Sequence, residues 1–138
     1  MKVIRTRDES GCIVHLKVTG PSEGHLIEGD LFADFEVSSR LMPIREVLAP
    51  VRPPVIIGIA QNYRKHAEEM GGAPPGHPVF FLKLPGTVLD PGKPIRLPRH
   101  LRSDKVDFEA ELAVVLRETC RNVPREQALG KVLGYTAA

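Results

Sequence analysis

Lys105-Val106-Asp107-Phe108-Glu109-Ala110-Glu111-Leu112-Ala113-Val114-Val115-Leu116 alternates with a period of two, which is the spacing of a β-strand and not of a helix. Val106, Phe108, Ala110, Leu112, Val114 and Leu116 fall on one face. The opposite face shows Asp107, Glu109 and Glu111 and then turns apolar at Ala113 and Val115, so an acidic row runs into a surface suited to burial. In a strand, Glu109 and Glu111 stand about 6.7 Å apart at Cα, near enough for their carboxylates to converge on one cation. Two carboxylates so placed repel each other and are costly to desolvate unless positive charge sits between them. Hard oxygen donors, with no thiolate and no paired histidines, favour Mg²⁺, Mn²⁺ or Ca²⁺ over Zn²⁺. The same period also fits a half-exposed antiparallel strand whose outer face is simply wet and acidic.

Outward from this stretch, the pattern continues mostly in strands. Downstream it predicts a short helix over 125–129 and a last strand from Val132, left without a neighbour to complete it, so that association or aggregation is expected there. Upstream it predicts strands over 94–97 and 79–83, a Gly- and Pro-rich loop over 71–76, a helix over 62–70 and a β-branched strand over 55–59. Three prolines within 49–54 mark a stiff connector. Before it, residues 1–48 read as a small β domain with a turn at Asp8-Glu9-Ser10-Gly11. The fold class is α+β, mostly β: an N-terminal β domain over 1–48, a linker over 49–54 and a second domain over 55–138.

Composition narrows the function. The chain has 138 residues, 42% apolar and 26% charged, as in a soluble globular protein. Its net charge of +2, its seven Phe and Tyr and its lack of Trp supply neither the field nor the stacking surface that nucleic acid needs. No apolar run approaches the roughly 20 residues of a membrane helix, and no secretory signal opens the chain; a cytoplasmic protein is expected. Cys12 and Cys120 read as reduced packing residues. Gly and Pro make up 25 of the 138 residues, which favours short strands and turns over a helical bundle.

Two further groups can do chemistry. His66 and Glu69 lie three apart on the expected helix and share a face, so the carboxylate can orient the imidazole and raise its basicity for work as a general base. A solvated surface contact gives the same spacing. Lys83 finishes the apolar run Val79-Phe80-Phe81-Leu82 and can either hold an anionic substrate or extend to solvent. His15 and His25 have no spaced partner and read as structural. His77, His100, Arg99 and Arg102 lie in turn-rich stretches and carry no role beyond loop packing.

Asn62-Tyr63-Arg64-Lys65-His66-Ala67-Glu68-Glu69-Met70, Pro78-Val79-Phe80-Phe81-Leu82-Lys83, Pro94-Ile95-Arg96-Leu97-Pro98, Asp107 to Val115 and Gly134-Tyr135 follow in the order seen in the fumarylacetoacetate hydrolase family, which this chain resembles over 55–138. The resemblance implies a mixed β-roll catalytic domain, of which 55–138 is the first part, preceded by a variable N-terminal β domain. It implies Mg²⁺ or Mn²⁺ held by Glu109, Glu111 and an aspartate that falls beyond Ala138, so that this chain alone is expected to be inactive. It also implies His66 and Glu69 as the catalytic dyad, Lys83 as a substrate-binding lysine, and a homodimer acting on a small 2-oxo acid. The absence of an acid between Glu46 and His66 places the resemblance with the small acylpyruvase, oxaloacetate decarboxylase and isomerase branch. The implied chemistry is enolate stabilisation at a 2-oxo acid, ending in C–C cleavage or double-bond migration. A non-catalytic β-rich domain or subunit with an incomplete metal site is the alternative.

Overall fold

The structure, a computed structural model, describes residues 1–101 and 103–138. Arg102, assigned above to loop packing, lies outside them. The described residues are mostly β, in antiparallel sheets, and divide into two compact units: Met1–Pro50 together with Pro91–Ala138, and Val51–Asp90.

In the first unit, strands β1 (Val3–Arg7), β2 (Ile13–Val18), β3 (Glu23–Gly29) and β4 (Phe35–Pro43) form a four-stranded meander in sequence order. The turn between β1 and β2 closes because Asp8 Oδ1 accepts hydrogen bonds from the Ser10 amide (2.9 Å), the Ser10 hydroxyl (2.7 Å) and the Cys12 amide (2.9 Å). Gly11 then takes the left-handed conformation, φ 84°, that ends a three-residue hairpin loop. Leu16 and Thr6 are fully buried, and Ile27, Met42, Leu48 and Ala49 complete this core. The chain after β4 returns to the far edge of β1, where the Leu48 amide donates to the Arg5 carbonyl (2.9 Å), the Arg5 guanidinium donates to the Ala49 carbonyl (3.2 Å) and the Thr6 hydroxyl accepts from the Glu46 amide (3.3 Å). That crossing satisfies the buried polar groups of β1 and covers its open edge.

The same unit contains a hairpin of β7 (Leu112–Leu116) and β8 (Val132–Ala137), with a 3-10 segment over Arg125–Lys131 leading into β8. Two expectations are corrected here. The last strand does have a neighbour, since β8 pairs antiparallel with β7 from Leu112↔Ala137 to Leu116↔Val132. The strand expected over 106–116 is confined to Leu112–Leu116, extended only by mutual backbone bonds between Glu111 and Ala138 (2.8 and 2.9 Å). Upstream of Glu111 the alternating residues join no ladder, and alternation without a paired backbone does not make a strand. Phe108, meant for the apolar face, is 95% exposed.

The second unit holds β5 (Ile56–Ala60), helix α1 (Arg64–Glu69) and β6 (Val79–Lys83). β5 and β6 pair antiparallel from Ile56↔Lys83 to Ala60↔Val79. The helix is shorter than the expected 62–70, because Asn62 and Tyr63 make its entry: Tyr63 is extended and Gln61 turns the chain with a positive φ of 50°. It ends in a Schellman motif, with the Gly71 amide donating to the Glu68 carbonyl, the Gly72 amide to the Ala67 carbonyl (both 3.0 Å), and Gly71 at φ 79°. The strand expected over 94–97 is not formed. Pro94 and Pro98 bracket it and remove the amides a ladder would use at both ends. Cys12 and Cys120 are both free thiols, but Cys12 is exposed and so does not serve as the packing residue expected from the sequence. No helix among the described residues is long and apolar enough to cross a membrane.

Candidate functional site

In the Val51–Asp90 unit, β5 delivers the chain through Gln61 to α1, and α1 carries His66 and Glu69. Ala67 is the buried residue of the helix and pins it, so His66 is half-buried and Glu69, one turn on, is exposed. Sequence reading identified the helix but missed how it is aimed. The left-handed Gln61 fixes where α1 leaves the strand, and a non-glycine residue with positive φ leaves no mark in propensity.

Lys83 closes β6 on the same face as Phe81, two residues earlier. Its ammonium lies 5.7 Å from the Phe81 ring centroid. Phe81 in turn lies across Gly58 on β5, so closely that a Cβ at that position would come within 2.3 Å of the ring. The ring therefore needs the glycine, and Lys83 is held by the ring. The pairing that explains it, Gly58↔Phe81, depends on a register the sequence does not state.

In the other unit, Glu111 is half-buried and sits in register at the mouth of the β7–β8 hairpin, on the face it shares with Ala113 and Val115. Glu109 is exposed, in the irregular backbone just before that ladder. Among the described residues no three His, Cys, Asp or Glu side chains gather closely enough to hold a metal ion. The carboxylates of Glu109 and Glu111 are hard oxygen donors, the type that Mg²⁺ or Mn²⁺ prefers.

A family model described as the C-terminal domain of fumarylacetoacetate (FAA) hydrolase matches residues 55–138. The chain belongs to the fumarylacetoacetate hydrolase family. An uncharacterized protein of Pyrococcus horikoshii is 46% identical over 101 residues, covering 73% of this chain and 43% of the relative. The mitochondrial oxaloacetate tautomerase fahd2 of Xenopus laevis is 40% identical over 93 residues, covering 67% of this chain and 28% of the relative. Among solved structures of the family fold, the crystal structure of 5-carboxymethyl-2-hydroxymuconate delta-isomerase from Mycobacterium smegmatis superposes with a TM-score of 0.81 at 30% identity, covering 99% of this chain and 53% of the isomerase. The chain thus spans between 28% and 53% of the length of these family members.

Proposed function

We propose that this chain carries part of an enzyme that moves a proton on the carbon beside the carbonyl of a small 2-oxo acid, with isomerisation or lysis of the adjoining C–C bond as the outcome. The observation that carries this reading is that the stretch matched to the family, 55–138, contains His66, Glu69, Lys83, Glu109 and Glu111 together. The names of two relatives, an oxaloacetate tautomerase and a hydroxymuconate isomerase, support an isomerase- or lyase-type reaction on oxo acids.

The roles follow from the side chains. In isomerisation the imidazole of His66 accepts the proton from the substrate carbon and returns it at the new position, so that nothing is gained or lost over the cycle; in lysis the electron pair of the broken C–C bond passes into the enolate, and His66, protonated from solvent, delivers one proton to that carbon. Glu69 lies one helical turn away on the same element, where its carboxylate serves to orient the ring between those two transfers. Lys83 meets the substrate carboxylate with a fixed positive charge, and its seat against Phe81 limits the arc through which the ammonium swings. Glu109 and Glu111 donate oxygens to Mg²⁺ or Mn²⁺. When bound, such a cation polarises a carbonyl as a Lewis acid.

Isothermal titration of the 138-residue chain with Mn²⁺, beside a Glu109→Ala/Glu111→Ala double variant, tests the assignment without depending on turnover. Binding by the parent chain that disappears in the double variant is expected. Equal binding by both, or none by the parent, overturns the placing of the cation on this pair.

A further inference from the structure

The four-stranded N-terminal sheet has one backbone edge closed and one open. The chain around Leu48 covers the outer edge of β1, where the Leu48 amide donates to the Arg5 carbonyl (2.9 Å). β4 forms the other edge and, among the described residues, pairs only with β3. Two bonds fix which of its amides face outward. The Asp30 amide donates to the Asp34 carbonyl (3.0 Å) and the Ile44 amide to the Ser22 carbonyl (2.7 Å), so it is the even-numbered residues that turn their backbone groups toward β3. Phe35, Val37, Ser39 and Leu41 turn theirs away. At the register shift between His25 and Ile27, the Arg40 amide is taken by the Ser38 hydroxyl (3.2 Å), so the irregularity is satisfied within the strand. With nine residues β4 is the longest strand described, and Val37 and Leu41 on its outward-facing set are 40% and 50% exposed. An open edge of that length, carrying apolar side chains, is a template for another strand.

The charges on β4 say which strand fits. Glu36 and Arg40 lie two residues to either side of Ser38, and both are exposed. A second β4 laid antiparallel, with the two-fold axis at Ser38, sets Glu36 of each copy opposite Arg40 of the other, at the roughly 5 Å Cβ separation of cross-strand neighbours. Asp34, also exposed, lies diagonal to the same arginine. On the other face, the same register puts Phe35 opposite Leu41 and Val37 opposite Ser39. The strand is thus complementary to itself in charge on one face and in apolar contact on the other, as a two-fold contact demands. A bulge discourages pairing with a flat strand, whereas a copy of β4 carries the same bend at the same place. We propose that β4 pairs edge to edge with β4 of a second copy, antiparallel about Ser38, and joins two four-stranded sheets into one. This inference concerns the N-terminal sheet and not the reaction, so its failure leaves the Mn²⁺ titration untouched.

The test is a charge exchange on the full 138-residue chain, followed by sedimentation over a range of concentrations and by amide exchange. The parent chain is expected to dimerise, with slow exchange at the Val37 and Ser39 amides. Glu36→Arg and Arg40→Glu each set like charges opposite one another at both symmetry-related positions, and each is expected to raise the dimer Kd by more than about tenfold. The double variant Glu36→Arg/Arg40→Glu is expected to recover the parent Kd. An equimolar mixture of the two single variants is expected to form a heterodimer, since one then offers two arginines and the other two glutamates. Both positions are exposed, and circular dichroism with the exchange protection of β1 to β3 confirms that each variant stays folded. A monomeric parent chain overturns the proposal. So does a double variant as weak as the single ones. A dimer that both single variants leave intact overturns it too, and places the contact on the exposed apolar side chains of the β5–β6 or β7–β8 hairpin instead.

Discussion

His15 faces Arg5 across β1 and β2, and that pairing makes a titration out of a structural histidine. Burial, reinforced by the Arg5 guanidinium and only partly opposed by Asp30, holds the imidazole below its ordinary value of 6.5. The folded state thus prefers the neutral ring, while the unfolded chain takes up the proton more readily. Stability from this residue is complete above the unfolded pKa and is lost as pH falls through the folded one. We expect the melting temperature of the parent chain to fall between about pH 7.5 and about pH 5 more steeply than that of His15→Gln. Parallel pH profiles of the two proteins would sink this assignment. His15 could not have been singled out from sequence, because the depression comes first from burial and then from a cross-strand neighbour ten positions away in the chain.

Among the elements, what propensity alone dictates was readable and what a partner dictates was not. The bounds of β6 match the expected 79–83, since a run of Val, Phe and Leu closed by a lysine has one plausible end on each side. The 106–110 segment has the alternation of a strand but joins no ladder, and the alternation of side chains alone does not report pairing. The candidate residues were legible by type and spacing, while Lys83 settling on Phe81 required knowing that Phe81 faces a glycine. Helix α1 is a six-residue element with no side-chain cap at its start, so its C-terminal motif carries much of its definition. Gly71→Ala puts a Cβ at φ 79° and should cost about 1 kcal/mol. Faster amide exchange at Met70, Gly72 and the last turn, with β1 to β4 unchanged, would register that loss. Unaltered exchange there would mean that the motif does not hold the helix.

At the scale of the molecule, stability and chemistry are assigned to different stretches. The core of Leu16, Thr6, Ile27, Met42 and Leu48 belongs to the first 50 residues, whereas the residues proposed for chemistry all follow residue 55. Leu16→Ala empties a fully buried position and is expected to remove about 2–5 kcal/mol. Chemical denaturation of the parent and the variant measures it directly, and a loss below about 1 kcal/mol would show that the sheet collapses to fill the space. The backbone bond from Leu48 to Arg5 adds a temporal consequence. A meander of neighbouring strands, fastened by a segment that follows immediately, pairs through local closures. During synthesis at the ribosome, the first 50 residues would set into a finished sheet before the apolar hairpins emerge. The interval in which sticky surface meets the cell would then begin with β5 and not with the N-terminus.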